Sequence, residues 1–249
     1  MKEELKITGH RPFPLPDKPW VMEQIWNDVL FAHWPVPAEI MEKHIPSKLT
    51  LDTYNGTAWV GAVPFWISKM RVRGLPTLPI MKSMNELNVR TYVEYAGIKG
   101  VYFFSLDADN FLAVTGARML YFLPYMNAKM QVSRSEGQIN YESRRSQSPS
   151  ENGQFKADYK PISSPFNSKP GTLDEWLTER YCLWVTKGEK VYRGDIHHTK
   201  WQLHEASCTI HQNTLASFLP RKHFKGEPIV HYSPEKHAYF WPLIKVSSP

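Results

Sequence analysis

The stretch that decides the fold is Thr57-Ala58-Trp59-Val60-Gly61-Ala62-Val63-Pro64-Phe65-Trp66-Ile67-Ser68. Read with a period of two, Trp59, Val63, Phe65 and Ile67 share one face, and Ala58, Val60, Ala62 and Trp66 the other. Both faces are apolar, which predicts a strand buried on both sides. Asn55-Gly56 just before it has the composition of a tight hairpin turn, so Leu49 to Tyr54 reads as its partner strand. Asn85 to Tyr95 alternates more cleanly. Leu87, Val89, Val93 and Tyr95 point one way, and Glu86, Asn88, Arg90, Tyr92 and Glu94 the other. Ala96 to Gly100 turns the chain, and Val101 to Leu106 pairs back.

Working outward, further strands are predicted at Lys129–Ser135, Gly137–Arg145, Gly153–Lys160, Tyr181–Thr186, Lys190–His197, Trp201–Gln212, Ile229–Tyr232 and His237–Val246. Four segments read as helices. Met22, Ile25, Trp26, Val29, Leu30 and His33 recur at spacings of three and four, which predicts a helix after Pro19 that ends at Trp34-Pro35. A short helix is expected from Ala38 to His44. Another runs from Asp107 to about Tyr121, with Asp107 or Asp109 as N-cap. The last opens at Thr172-Leu173-Asp174-Glu175, a capping-box spacing. No internal repeat or linker divides the chain. The expectation is an extended arm over residues 1–19 and a single domain over 20–249, an antiparallel β-barrel or sandwich.

The 249 residues carry 30 Lys+Arg against 24 Asp+Glu, a formal charge of +6, and 13% aromatics. Such a composition excludes disorder, collagen and a disulfide scaffold. The basic residues are scattered, densest at Arg221-Lys222-His223-Phe224-Lys225, and no zinc-finger, RNP or helix-turn-helix signature appears, so no nucleic-acid partner is expected. No apolar run approaches the roughly 20 residues needed to span a bilayer, and no signal core follows Met1, so no membrane association is expected. With only Cys182 and Cys208, both in strand-like segments, a reducing, cytoplasmic setting is the expectation.

Familiar catalytic signatures are missing: there is no Gly-x-Ser-x-Gly elbow, phosphate-binding loop, Rossmann fingerprint or His-Glu-x-x-His. The adjacent pair His197-His198 cannot easily share an ion, and neither a metal nor a cofactor is predicted. The stripe Glu86, Asn88, Arg90, Tyr92, Glu94 faces either solvent or a barrel interior. In the second case Glu86 and Arg90, roughly 13 Å apart along a strand, would frame a small polar ligand. His33 is either a core histidine or a site residue. Arg118, on an apolar helix, must snorkel, pair or reach a cavity. Glu179-Arg180-Tyr181 either staples a helix to the sheet or serves the site.

Several long motifs carry a resemblance. Trp26-Asn27-Asp28-Val29-Leu30-Phe31-Ala32-His33-Trp34-Pro35-Val36-Pro37, Val63-Pro64-Phe65 and Glu86-Leu87-Asn88-Val89-Arg90-Thr91-Tyr92-Val93 resemble the YqjF-like family of uncharacterised bacterial proteins. So do Gly100 to Asp107, Ala117-Arg118, Leu123-Pro124-Tyr125, Glu179-Arg180-Tyr181-Cys182 and His197-His198-x-x-Trp201. The resemblance spans about residues 20–246 and implies a branch of the acetoacetate-decarboxylase-like fold: mainly β, a closed cone-shaped antiparallel β-barrel with an internal cavity and a few peripheral helices. That fold's decarboxylases use a lysine that forms a Schiff base, with a second lysine beside it lowering its pKa. Gly116-Ala117-Arg118 and Pro124 fit the pattern in spacing, but Tyr125-Met126 stand where the lysine pair is expected and Met119 where an acid is expected. A tyrosine forms no imine, so Schiff-base decarboxylation is predicted absent.

Three functions follow as expectations. One is a barrel binding a small oxo-acid or similar carbonyl or anionic ligand, held by Arg118, Arg90, Tyr92, Arg180, Tyr181 and His198. A second is a lyase or proton-transfer enzyme on a keto-acid, with Tyr125, Glu86 and His33 as catalytic residues. A third is a non-catalytic assembly protein with a filled barrel. Exposed aromatics leave homo-oligomers open.

Overall fold

The computed structural model describes every residue except 1, 77–82, 111–120, 147–152, 221, 223–225 and 247–249. Its strands are β1 (Met22–Pro37), β2 (Thr50–Leu51), β3 (Thr57–Val72), β4 (Met84–Tyr95), β5 (Ile98–Ala108), β6 (Tyr125–Ser135) and β7 (Gln138–Arg145). The second half supplies β8 (Gln154–Pro161), β9 (Cys182–Lys187), β10 (Lys190–His197), β11 (His204–Asn213), β12 (Ile229–Phe240) and β13 (Ile244–Val246). Two short α-helices are described, α1 (Ala38–Met41) and α2 (Leu173–Thr178).

The pairings close a barrel of nine strands, β5-β6-β7-β8-β11-β12-β1-β3-β4 and back to β5. A second path, β12-β10-β9-β5, closes a smaller ring that shares β12, β1, β3, β4 and β5 with the first. Pairing is antiparallel throughout, apart from β5 with β6 and β5 with β9. The shared strands explain the doubly apolar stretch quoted above. Ala58, Val60 and Ala62 of β3 join Leu30, Ala32, Trp34 and Val36 of β1 in one core, with Tyr141, Phe155 and Tyr159 from β7 and β8. Val63, Phe65 and Ile67 turn to the other side, with Val29 and Phe31. At the Asn55-Gly56 turn both residues hold φ of +50° and +78°, as this hairpin type requires.

The predicted helix over Met22–His33 is strand β1 instead. The cause is a bulge at Asp28, whose φ is +50°: between Asn27 and Ala32 the register with β3 shifts by one residue, while that with β12 runs on unshifted. The extra residue changes which parity points inward: Trp26 faces the same interior as Val29, Phe31 and His33. Because the opposite face is also core, the apolar residues recur at spacings of three and four, as on a helix. Asp28 is fixed by its surroundings: its carboxylate accepts from Trp66 Nε1 (2.9 Å), Tyr232 Oη (2.6 Å) and Arg134. Its carbonyl accepts from Tyr159 Oη at 2.8 Å.

Other boundaries move less. Asp107 is not a helix cap but a residue of β5, and most of the helix predicted after it lies outside the described residues. The two last predicted strands are largely one, β12, because Ser233 to Lys236 stay extended and pair on to β1. The short helix after Pro37 is present as α1 and a following 3-10 turn. So is the capping box of α2: Thr172 Oγ1 accepts from Glu175 N, and Glu175 Oε2 accepts from Gly171 N. Residues 2–19 lie along β1, β10 and β12. Lys2 pairs with Glu23 (2.5 Å), Arg11 donates to the Ile196 carbonyl (2.7 Å), and the Lys18 carbonyl accepts from Trp241 Nε1. No helix among the described residues is long and apolar enough to cross a membrane.

Candidate functional site

The polar stripe of β4 faces the interior of the smaller ring. Glu86 lies opposite Phe65, and Arg90 opposite Gly61, both on the face that carries Trp59 and Val63. Glu86, Asn88 and Tyr92 are buried, so the solvent-facing reading of the stripe is excluded.

Two clusters form along it. At one end Tyr125 Oη donates to Glu86 Oε2 at 2.9 Å, and Tyr141 Oη donates to the Glu86 carbonyl at 2.8 Å. The parallel pairing of β5 with β6 brings Tyr125 there. Burial pushes the Glu86 carboxyl up to about 7, against the smaller downward pull of the Tyr125 hydrogen bond. Burial also holds the Tyr125 phenol well above its ordinary value, with the Glu86 charge adding to it. Near neutrality the Glu86 carboxyl is therefore poised between its protonated and ionised forms while the Tyr125 phenol keeps its own proton, a pair suited to giving or taking a proton.

At the other end, Tyr92 Oη donates to the Leu177 carbonyl of α2 at 2.6 Å, and His33 Nε2 lies 2.7 Å from the same phenol. Gly61 makes this approach feasible: a Cβ there would stand 2.8 Å from the His33 ring. His33 is fully buried, and burial together with Arg90 keeps its pKa well below the usual histidine value, so the ring is neutral. Arg90 Nη2 donates to the Leu177 carbonyl at 3.1 Å, and its guanidinium lies 5.4 Å from the Phe31 ring centre. Arg180 stacks on Tyr92 (4.7 Å) and Trp176 (4.5 Å), donates to Asp52 at 2.7 Å, and bonds the Trp176 carbonyl through Nε. Arg180 thus ties α2 to the sheet, the stapling role foreseen for it.

Tyr181 and His198 pack ring to ring at 4.8 Å beside Trp201. Tyr181 Oη donates to Glu179, whose other oxygen accepts from Trp201 N. Burial lowers His198 to about 3, leaving a neutral ring between the Thr199 and Arg180 carbonyls. Arg118 lies outside the described residues. Lys129, the lysine nearest in sequence to the expected pair, is exposed.

Phe31, Trp201, His231 and Lys236 were missed. Lys236 is buried over the Trp201 ring at 5.3 Å, and burial lowers its amine to about 8. His231 bonds Asp174 at 3.2 Å. Only the β1–β12 register, Phe31 against His231 and Trp26 against Lys236, brings these residues to the stripe. Among the described residues no group of three His, Cys, Asp or Glu side chains is placed to hold a metal.

Residues 23–237 match the model of DUF2071, a family described as an uncharacterized conserved protein. The chain is 46% identical over 233 residues to the uncharacterized protein YqjF of Bacillus subtilis (strain 168), covering 94% of this chain and 96% of that one. Among solved structures it is similar to an acetoacetate decarboxylase-like enzyme from Sphingomonas wittichii RW1, with TM-score 0.63 and 10% identity, covering 92% of this chain and 94% of that one. It is also similar to the enduracididine biosynthesis enzyme MppR complexed with pyruvate, with TM-score 0.63 and 11% identity, covering 95% and 94%. At that identity the likeness is one of fold.

Proposed function

We propose, for a chain that belongs to the DUF2071 family and has an acetoacetate-decarboxylase-like barrel, that it binds a small oxo-acid or similar carboxylate inside the smaller ring. One observation carries this reading. Arg90 has no carboxylate partner among the described residues, and its Nε is buried without an acceptor. Arg90 is half-buried, a cation withdrawn from water is ordinarily paired, and Asp52, beside the neighbouring Arg180, is already used by Arg180 and Lys99. An anionic ligand completes the charge balance. Tyr92, Arg180, Tyr181 and His198 border the same interior, and Arg118 is proposed to join them. The MppR neighbour was solved with pyruvate, which supports trying that ligand class here. Pyruvate and acetoacetate titrated calorimetrically into the purified protein are expected to bind, and Arg90→Met to weaken binding at least tenfold. Wild-type protein that binds neither sinks the proposal.

The Glu86–Tyr125 pair favours a second reading, in which bound keto-acid undergoes proton transfer or lyase chemistry. Glu86 and Tyr125 would exchange the proton, with His33 as the further base. On that reading Tyr125→Phe loses turnover of an oxo-acid panel by roughly a hundredfold, in the usual range for general acid–base groups. Turnover unaffected by this substitution removes Tyr125 from the chemistry. On either reading the exposed Lys129 and the Tyr125-Met126 position support activity without a Schiff base there. Residues 1–19 are proposed as an arm on a domain spanning 20–249. The partner is proposed to be a small molecule and not nucleic acid, and the two free cysteines support a cytoplasmic setting.

A further inference from the structure

Phe31 is the centre of an unusual set of atoms. Arg90 Nε, Trp201 Nε1, His33 Nδ1 and His231 Nδ1 are all buried, and among the described residues none has a hydrogen-bond partner. All four belong to side chains gathered on Phe31. The Arg90 guanidinium lies 5.4 Å from its ring centre, the Trp201 ring meets it edge-on at 4.9 Å, and the His33 ring runs parallel at 6.3 Å. His231 is its register partner across β1 and β12.

The hydrogen-bonding sense of each atom is fixed by its surroundings. Guanidinium and indole N–H groups only donate. Tyr92 has one hydroxyl proton, and it goes to the Leu177 carbonyl; the phenol oxygen therefore accepts from His33 Nε2–H. The neutral His33 ring is left with a lone pair on Nδ1. Since its Nε2 edge reaches over Gly61 toward β4, the Nδ1 edge lies away from Tyr92, on the side of β12 and His231. His231 Nε2 faces the Asp174 carboxylate and donates to it, so its neutral ring also carries a lone pair on Nδ1. Two donors in want of an acceptor and two acceptors in want of a donor are therefore carried by side chains that share Phe31 as a neighbour.

An oxo-acid answers half of this demand. Its carboxylate accepts from Arg90 and Trp201, but it has no proton for the imidazoles. An ammonium group has protons but brings a further positive charge beside Arg90 and Arg180. We infer that the interior is built for a hydroxy acid, whose carboxylate takes the Arg90 and Trp201 donors while its hydroxyl groups donate to His33 and His231. The inference rests on the carboxylate site proposed above and narrows its ligand class.

The test is a calorimetric comparison of pyruvate, lactate and glycerate, which offer no, one and two hydroxyl donors. Leaving a buried acceptor unpaired sets a preference of roughly five- to a hundredfold. Lactate or glycerate binding at least fivefold more tightly than pyruvate is the expected result, with that preference reduced in His33→Phe and in His231→Phe. A preference below fivefold, or one unchanged in both variants, overturns the hydroxy-acid assignment while leaving the carboxylate site standing. Binding of none of the three overturns both.

Discussion

Glu86→Gln stabilises this protein at pH 8 and leaves it nearly unchanged at pH 4. Burial raises the Glu86 carboxyl from 4.5 to about 7 in the folded state. The folded chain therefore holds this proton more tightly than the unfolded one. Its contribution to stability is fully present below pH 4.5 and is lost as pH rises through about 7. The loss amounts to about 3 kcal/mol, or roughly 5–10 °C in melting temperature for a chain of this size. Glutamine keeps an acceptor for Tyr125 Oη and carries no charge, so it removes the penalty and little else. Urea denaturation of both proteins at pH 4, 6 and 8 measures the effect. A stability difference that does not grow with pH refutes it.

The second large effect belongs to Asp107, fully buried on β5. Arg145 Nε donates to both its oxygens at 2.9 Å, and Arg145 Nη2 bonds Ser105 Oγ. Burial outweighs this pairing and raises the Asp107 carboxyl to about 6. Arg145→Met strips the partner from a buried carboxylate, and such losses cost about 3–5 kcal/mol. The carboxyl then rises further, so the penalty is largest at pH 8 and shrinks toward pH 5. Asp107→Asn in the same chain recovers most of it, which a double-mutant cycle reads directly. A single-variant cost under about 1 kcal/mol excludes the pairing as a stabilising element. Asp107 and Glu86 lean the same way, each favouring mildly acid over alkaline pH. The buried neutral rings of His33 and His198 lean the other way and cost stability as pH falls below the ordinary histidine value.

The barrel was legible where one local rule governs. Asn85 to Tyr95 alternates because β4 presents Leu87 and Val89 to one core and Glu86, Arg90 and Tyr92 to the other, and alternation is visible within eleven residues. The same stretch put the candidates Glu86, Arg90 and Tyr92 on one face. β1 was illegible because two effects coincide there: core on both faces and a bulge against β3 that shifts the inward parity at Asp28. Together they imitate helical spacing. The rest of the site depends on pairs distant in sequence. Nothing near His231 or Lys236 reveals that they stand against Phe31 and Trp26, about two hundred positions earlier. Glu86 and Tyr125 could be named singly from the family pattern. That they form one hydrogen-bonded couple follows only from the parallel registry of β5 with β6.

Strand β1 has another consequence, for the order in which the chain matures. One of its neighbours, β3, follows within a few dozen residues, but the other, β12, is synthesised about two hundred residues later. Contacts this remote make for slow folding. During translation β1 has an open edge with apolar side chains on both faces, exposed until Ile229–Phe240 leaves the ribosome. A nascent chain stalled or truncated before Ile229 leaves that edge uncapped, a ready template for pairing with another copy. Chains lacking β12 should aggregate more than chains that carry it, read as the soluble fraction after expression.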